Sequence, residues 1–275
     1  MYSLLISAAE LAQYSGPLHI LDCRARLGDA NWGQAAFTQG HIAGAQHVDL
    51  DTVLSSQPNQ HGRHPLPSRQ HWLEQVRALG LRNDAQIVLY DDAGGGFAAR
   101  AWWMLRWLGH THAAVLDGGL GHWPQPLAEG TGATLQPSDF AASEPLTRLA
   151  TSADVLHIIQ QPPAARPSLI DARSFERFTG EVEPIDAVAG HIPGASCLPF
   201  TDNLAADGRF KTPQQLAERF AAYRPHSDLV CYCGSGVTAT HNILAARIAG
   251  LAEPTLYADS WSGWITDPAH PIATG

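Results

Sequence analysis

The sequence is short of the features that mark several large classes of protein. Four cysteines among 275 residues are too few for the disulfide framework of a small secreted domain. No stretch approaches the roughly 18 consecutive apolar residues of a membrane-spanning helix. The first residues lack the basic start and the long apolar run of a secretion signal. We therefore expect a chain that works in a reducing, cytoplasmic setting and does not associate with membranes.

Positive charge and metal-binding patterns are also scarce. Seventeen Lys and Arg stand against 26 Asp and Glu, a formal net charge of -9, which argues against nucleic acid as a partner. If the substrate is an anion, positive charge must therefore be gathered locally. The cysteines and histidines do not have the spacing of a zinc site, and no Lys-Ser/Thr follows the three glycines at residues 94–96. We expect no metal and no cofactor.

What the sequence does contain is an internal repeat. Residues 169–173 (Leu-Ile-Asp-Ala-Arg) match residues 20–24 (Ile-Leu-Asp-Cys-Arg), and residues 190–195 (Gly-His-Ile-Pro-Gly-Ala) match residues 40–45 (Gly-His-Ile-Ala-Gly-Ala). The offsets are nearly constant: 171 − 22 = 149 and 191 − 41 = 150 for the earlier motifs, and 233 − 91 = 142 and 264 − 123 = 141 for the later ones, a difference that small loop deletions would give. Matched motifs at a nearly constant offset indicate a duplicated domain.

The repeat divides the chain into two domains of one fold class. We place an N-terminal domain at residues 1–124, a linker rich in Pro and Gly at residues 125–148, and a C-terminal domain at residues 149–275. In both halves, near-continuously apolar strands alternate with helices, which predicts an α/β fold with a parallel β-sheet and helices on both faces. Because His41 and His191 recur at matched positions, we expect them to serve the fold.

Residues 229–240, Leu-Val-Cys-Tyr-Cys-Gly-Ser-Gly-Val-Thr-Ala-Thr, join a buried strand to a helix through a glycine-rich loop. Such a loop turns several backbone N–H groups towards one point, and the helix dipole adds partial positive charge there. Cys233, at the start of the loop, is therefore expected to be a thiolate nucleophile. The matched residue of the first half is Asp91, so we expect the first domain to be catalytically inactive. Cys231 is expected in the core.

A cysteine phosphatase would need a further residue that this loop lacks. Such enzymes place an arginine six residues after the nucleophile to bind the phosphate oxygens. The corresponding residue is Ala239, which argues against phosphatase activity.

The duplicated halves, the two Gly-His-Ile-x-Gly-Ala motifs and the Cys-Gly-Ser-Gly-Val-Thr-Ala loop resemble the two-domain rhodanese and 3-mercaptopyruvate sulfurtransferase family. The resemblance implies two tandem rhodanese-like domains. It also implies transfer of a sulfane sulfur from a small anionic donor, through a persulfide on Cys233, to cyanide, a thiol or a thioredoxin-like acceptor. Gly234 and Ser235 stand where the thiosulfate branch usually has Arg and Lys, which favours 3-mercaptopyruvate. A monomer or a weak dimer is expected.

The resemblance also implies a set of site residues. The donor's charged group would be held by Arg177, and backbone N–H groups of the loop would complete the anion site. The mercaptopyruvate branch usually has a second arginine after a Glu-Pro, where this chain has Ile185. Two alternatives therefore stay open: a sulfurtransferase that prefers thiosulfate, and a non-enzymatic sulfur-relay or redox-sensing persulfide carrier. The implied catalytic residues are Cys233, Ser235, His64 and Asp51, and the implied loop N–H donors are those of Gly234, Gly236, Val237 and Thr238.

Overall fold

The computed structural model describes residues 1–163, 165–223 and 228–275, which form two compact units. The first unit comprises Met1–Ser56, Leu66–Leu146 and Ala206–Phe210, and the second comprises Gln57–Pro65, Thr147–Ala205 and Lys211–Gly275. Each unit thus takes one short segment from the other half of the sequence, which the repeat pattern does not indicate. The boundaries drawn at residues 124 and 149 stay a prediction.

The first unit alternates strands and helices along the chain. Its elements are β1 (Leu5–Ile6), α1 (Ala8–Gln13), β2 (Leu18–Asp22), α2 (Trp32–Gln39), β3 (Ala45–His47), α3 (Arg69–Ala78), β4 (Gln86–Tyr90), α4 (Ala98–Trp107) and β5 (Ala113–Leu116), followed by a 3-10 turn at Leu120–His122.

The second unit repeats this alternation. Its elements are β6 (Arg148–Ala150), α5 (Ser152–Gln160), β7 (Ser168–Asp171), α6 (Phe175–Thr179), β8 (Ser196–Cys197), α7 (Pro213–Arg219), β9 (Leu229–Tyr232), α8 (Ala239–Ile248), β10 (Thr255–Tyr257) and α9 (Ser260–Trp264), with 3-10 turns at Phe200–Asn203 and Ala221–Tyr223.

Both units contain a five-stranded parallel sheet with the same strand order. The order is β1-β5-β4-β2-β3 in the first unit and β6-β10-β9-β7-β8 in the second. Every residue of β4 and β9 is buried, as expected for a strand covered on both faces. The predicted α/β fold is confirmed, and the identical order supports a duplication.

Local sequence signals explain where matched helices begin. Ser7 precedes α1 and forms a reciprocal capping box with Glu10, and Thr151 precedes α5 and forms the same box with Asp154. A capping box satisfies two backbone N–H groups that the first helical turn leaves without partners. Both helices therefore begin one residue after the cap.

In each unit, the arginine of the Asp-x-Arg motif pairs with its own aspartate and donates a hydrogen bond to the Gly-His-Ile motif. In the first unit the guanidinium of Arg24 contacts the carboxylate of Asp22 at 2.6 to 3.0 Å and donates to the carbonyl of Gly40 at 2.7 Å. Arg173 makes the same contacts with Asp171 and with the carbonyl of Gly190. The Asp-x-Arg motif at the strand end thus holds the start of the Gly-His-Ile motif in place.

The histidines of those motifs have matched surroundings. The His41 ring stacks on Phe37 at 3.9 Å, and its Nδ1 lies 2.8 Å from the carbonyl oxygen of Phe37. The His191 ring stacks on Phe178 at 3.7 Å, with the same 2.8 Å contact to the carbonyl oxygen. Both rings anchor the residues that precede the motif, which is a structural role.

The predicted linker region runs along the first unit. Ala128 and His41 exchange two backbone hydrogen bonds of 2.8 and 2.9 Å, and the amide of Ser143 donates to the carbonyl of Leu108 at 2.9 Å.

No helix in the described part of the chain is long and apolar enough to cross a membrane.

Titration of His110 is expected to weaken the first unit in acid. The side chain is 4% exposed, and burial, followed by the nearby charge of His112, lowers its pKa to about 4. In the unfolded chain its pKa is about 6.5, so the unfolded state binds the proton first and stability falls as the pH drops from about 6.5 to 4. The expected loss is about 3 kcal/mol at pH 4, measurable by urea denaturation. His110→Gln, which cannot titrate, should lose less over this range; an unchanged pH dependence contradicts the assignment.

Candidate active site

Cys233 lies where the most buried strand of the second sheet ends. β9 stops at Tyr232, residues 233–238 form the loop, and α8 begins at Ala239. β9 pairs with β7 on one side and β10 on the other, so the loop leaves the C-terminal edge at the middle of the sheet. Cys233 is 2% exposed to solvent. This is the edge at which ligands bind in parallel α/β sheets.

The start of α9 holds the loop in one orientation. Its amides donate to the loop carbonyls, from Trp261 to Cys233 at 2.9 Å and from Ser262 to Gly234 at 2.8 Å. In a planar trans peptide the C=O and the following N–H point in opposite directions. The N–H groups of Gly234 and Ser235 are therefore turned away from α9.

Ser260 adds a side-chain contact to this arrangement. Its Oγ accepts a 3.0 Å hydrogen bond from the amide of Cys233 and donates one of 3.0 Å to the carbonyl of Tyr257. Ser260 has φ +54°, in the left-handed region that disfavours residues with a side chain. The matched residue of the first unit is Gly119, 141 positions earlier (260 − 119 = 141), and it has φ +61°. The second unit thus keeps a serine in a strained conformation, and that serine fixes the amide of Cys233.

Close backbone approach explains the second glycine of the loop. Gly236 has φ +75°, and a methyl group on its Cα would lie 2.2 Å from the carbonyl oxygen of Ala258. Val237 and Thr238 then form the turn into α8, where their carbonyls accept from the amides of Thr240 and His241 at 3.2 and 3.1 Å. The loop residues predicted from the sequence are therefore brought together at one turn.

The matched loop of the first unit shows what this kind of turn can bind. The carboxylate of Asp91 is fully buried and accepts four backbone hydrogen bonds. One oxygen accepts from Ala93 at 2.9 Å and Gly95 at 2.8 Å, and the other accepts from Phe97 and Ala98 at 2.8 Å each. A loop that opens a helix thus holds an anion through its amides, as expected from the helix dipole and the N–H groups.

His64 and Ser235 form a side-chain pair beside the Cys233 loop. His64 Nδ1 lies 2.7 Å from Ser235 Oγ, and both side chains are buried. His64 reaches the second unit because the segment that carries it is tied there. Gln60 accepts from Thr266 Oγ1 at 3.0 Å, and the amide of Arg63 donates to Ser262 Oγ at 3.1 Å.

Asp51 lies in the first unit, at the turn after β3. It is half-buried, and its amide donates to the carboxylate of Asp49 at 3.0 Å. Burial, and then the nearby charge of Asp49, raise the pKa of its carboxyl. Its predicted place in the catalytic group stays a prediction.

Arg177 lies beside the loop but is paired with two carboxylates. Its guanidinium contacts Glu183 at 2.8 to 3.1 Å and Asp186 at 2.8 Å. A methyl group on Gly234 would lie 3.4 and 3.5 Å from its two terminal nitrogens. The same methyl group would lie 2.9 Å from Arg63 Nη2. A side chain at residue 234 would therefore contact both guanidinium groups.

Arg63, Ser260 and the two carboxylates are functional candidates that the sequence did not single out. Arg63 directly precedes His64, and that adjacency is the signal that could have suggested it. Ser260 could have been found by aligning the repeats, where it replaces a glycine. In the described ranges 1–163, 165–223 and 228–275, no three His, Cys, Asp or Glu side chains are grouped so as to hold a metal ion.

The other three cysteines are expected to stay protonated at pH 8. Burial, followed by the charge of Asp171, raises the pKa of Cys197 to about 12. Burial also raises the pKa of Cys23 and of Cys231. At pH 8 a thiol of pKa 12 is ionised in about one molecule in ten thousand. One equivalent of iodoacetamide should therefore alkylate Cys233 first, as located by peptide mass spectrometry; comparable labelling of Cys197 contradicts this.

Ser260 is expected to matter for both stability and the reactivity of Cys233. Ser260→Ala keeps the left-handed strain and removes the acceptor of the Cys233 amide, so it should lower the free energy of unfolding by about 1–3 kcal/mol. Ser260→Gly also removes the acceptor but relieves the strain, and should be the more stable of the two. Both variants should slow alkylation of Cys233. If Ser260→Ala unfolds like the wild type and reacts at the same rate, Ser260 does not position the loop.

Comparison with known proteins places this architecture in a family. The model of the rhodanese-like domain matches residues 7–125 and 151–267. A Pseudomonas aeruginosa protein named "Probable 3-mercaptopyruvate sulfurtransferase" is 50% identical over 98% of both chains. The thiosulfate sulfurtransferase of Mus musculus is 33% identical over 96% of this chain and 92% of its own.

A solved structure with a related name also matches this fold. The crystal structure of a 3-mercaptopyruvate sulfotransferase from Escherichia coli superimposes with a TM-score of 0.80 at 30% identity, covering 95% of this chain and all of that one. Three observations lead to the same family: two matches to the domain model, two parallel sheets with one strand order, and relatives that align along nearly the whole chain. This chain belongs to the two-domain rhodanese and 3-mercaptopyruvate sulfurtransferase family.

Proposed function

We propose that this sulfurtransferase takes its sulfur from 3-mercaptopyruvate, carries it as a persulfide on Cys233 and passes it to a thiophilic acceptor. The observation that carries the choice of donor is the 2.7 Å contact between Ser235 Oγ and His64 Nδ1, two residues from Cys233. The 2-oxo acid leaves as an enolate that needs a proton, and the hydroxyl and imidazole of this pair can provide one.

In the first half-reaction, sulfur moves from the donor to Cys233. The Cys233 thiolate attacks the sulfur of 3-mercaptopyruvate, the new S–S bond forms and the C–S bond breaks. The electron pair of the broken bond goes to the carbon skeleton, which leaves as the enolate of pyruvate. Protonation of that enolate at carbon gives pyruvate, and Cys233 keeps the sulfur as a persulfide.

In this step the loop amides would stabilise negative charge, and the Ser235–His64 pair would transfer a proton. The four amides on the Asp91 carboxylate support an anion-binding role for the matched Cys233 loop, whose N–H groups would stabilise thiolate and persulfide. Ser235 would pass a proton to the enolate while His64 replaces it. Asp51 is proposed to orient His64, on the resemblance alone.

Thiosulfate makes a different demand on the site. Attack of the thiolate on its outer sulfur releases sulfite, an anion that is stable without a proton. A buried Ser–His pair would give that reaction no advantage. We therefore rank thiosulfate second, and the sulfur-relay carrier third.

The first unit is proposed to be inactive because its loop holds the Asp91 carboxylate where the second has Cys233. Cyanide, a small thiol or a thioredoxin-like protein is proposed as the acceptor. A reducing, cytoplasmic setting is proposed as well, because four cysteines among 275 residues are too few for a disulfide framework.

Substitution of Ser235 tests the choice of donor. Ser235→Ala and His64→Ala should each lower kcat for 3-mercaptopyruvate by about 100-fold, the usual contribution of one general acid. The same variants should lower kcat for thiosulfate by much less. Pyruvate and thiocyanate release would be measured with cyanide as the acceptor.

Two controls accompany that experiment. Cys233→Ser should abolish transfer from both donors, whereas Cys231→Ser should keep most of it. Equal losses for both donors in Ser235→Ala would remove the argument for 3-mercaptopyruvate. If the wild type turns over neither donor but accepts sulfur rapidly from a partner's persulfide, the chain is a relay protein.

A further inference from the structure

Two guanidinium groups meet at the residue that follows Cys233. A methyl group on Gly234 would lie 2.9 Å from Arg63 Nη2 and 3.4 Å from Arg177 Nη1. The two arginines come from distant parts of the sequence, and both belong to the second unit. Burial, and then the positive charge of Arg177, lower the pKa of Arg63. Two like charges this close need an anion near them.

Asp186 supplies that anion in the structure. One carboxylate oxygen accepts from Arg63 Nη1, and the other accepts from Arg177 Nη2 at 2.8 Å. The Asp186 side chain is 3% exposed, so its carboxylate is shielded from water. A carboxylate between two guanidiniums is the arrangement that a bound 2-oxo acid would also adopt.

The other charges nearby are already matched in pairs. Arg173 is held by Asp171 on two nitrogens, and Arg177 is held by Glu183. Arg63 has only Asp186 among the ion pairs described for it. The Arg63 side chain is 28% exposed and that of Arg177 is 16% exposed, so both can be reached from solvent. Arg63 is therefore the positive charge most able to change partners.

We propose that Arg63 is a second donor-binding residue, and that Arg63 and Arg177 together bind the donor's carboxylate at the place that Asp186 occupies in the structure. The inference rests on the proposed function and deepens it. Asp186 competes with the donor for the two guanidinium groups. Ile185, which is exposed and uncharged, contributes nothing to this binding.

The test compares two donors that differ only in the carboxylate. Mercaptoacetone has the thiol and ketone of 3-mercaptopyruvate with a methyl group in place of the carboxylate, so both donors need the same proton transfer. The measured quantity is the ratio of kcat/KM for 3-mercaptopyruvate to that for mercaptoacetone. Arg63→Ala should lower this ratio about 10- to 100-fold, the effect of losing one charged hydrogen bond, mainly through KM.

Matched variants separate binding from folding. Arg63→Lys, which keeps the charge without the planar fork, should restore part of the ratio. Asp186→Asn should raise the ratio, because the competing charge is gone. Arg82→Ala removes an exposed arginine of the first unit that pairs with Asp84, and should leave the ratio unchanged. An unchanged ratio in Arg63→Ala overturns the role of Arg63, and an unchanged or lowered ratio in Asp186→Asn overturns the place given to Asp186.

A binding measurement keeps this inference apart from the proposed function. The Kd of pyruvate would be measured by ligand-observed NMR on the Cys233→Ser protein, which cannot turn over. Adding Arg63→Ala should raise that Kd about tenfold or more. If the wild type does not turn over 3-mercaptopyruvate, the proposed function fails. If pyruvate binds equally with and without Arg63, the inference fails, whatever the turnover.

Discussion

The orientation of two peptide groups at the start of the 233–238 loop is the constraint on which the rest of the site depends. The carbonyls of Cys233 and Gly234 are held by the first amides of α9, and planarity of the peptide then turns the next N–H groups the other way. Ser260 reinforces the arrangement from a strained conformation. Without these contacts a glycine-rich loop would have many conformations, and its N–H groups would have no fixed direction.

The duplication shows one loop used in two ways. In the first unit the loop holds its own carboxylate, Asp91, through four amide hydrogen bonds. In the second unit the matched residue is a thiol, and the glycine that faces the first loop, Gly119, is replaced by Ser260. A buried carboxylate with all its acceptors satisfied stabilises a fold, whereas a thiol at the same place is available for chemistry. The same scaffold thus holds a buried carboxylate in one half and, in the other, the thiol that we propose as the nucleophile.

Charge is organised locally against an acidic background. The chain has a net charge of -9, yet Arg63 and Arg177 converge at Gly234. Glu183 and Asp186 balance them in a shielded place, where the interaction of charges is stronger than in water. Such a site does not attract anions indiscriminately, because a ligand must replace an internal carboxylate. Selectivity then depends on the shape and charge of the ligand as well as on the number of arginines.

The sequence by itself determined the duplication, the α/β class and the glycine-rich loop that carries Cys233, because these depend on local patterns: apolar strands, capping residues before α1 and α5, and glycines at one turn. The resemblance to the family added Ser235, His64 and Arg177 as expected site residues. Only the tertiary structure decided that residues 57–65 join the second unit and that Arg63 meets Arg177 there. It also showed that Arg177 is paired with Glu183 and Asp186. These contacts join residues more than a hundred positions apart or depend on side-chain direction, and neither leaves a periodic signal in the sequence.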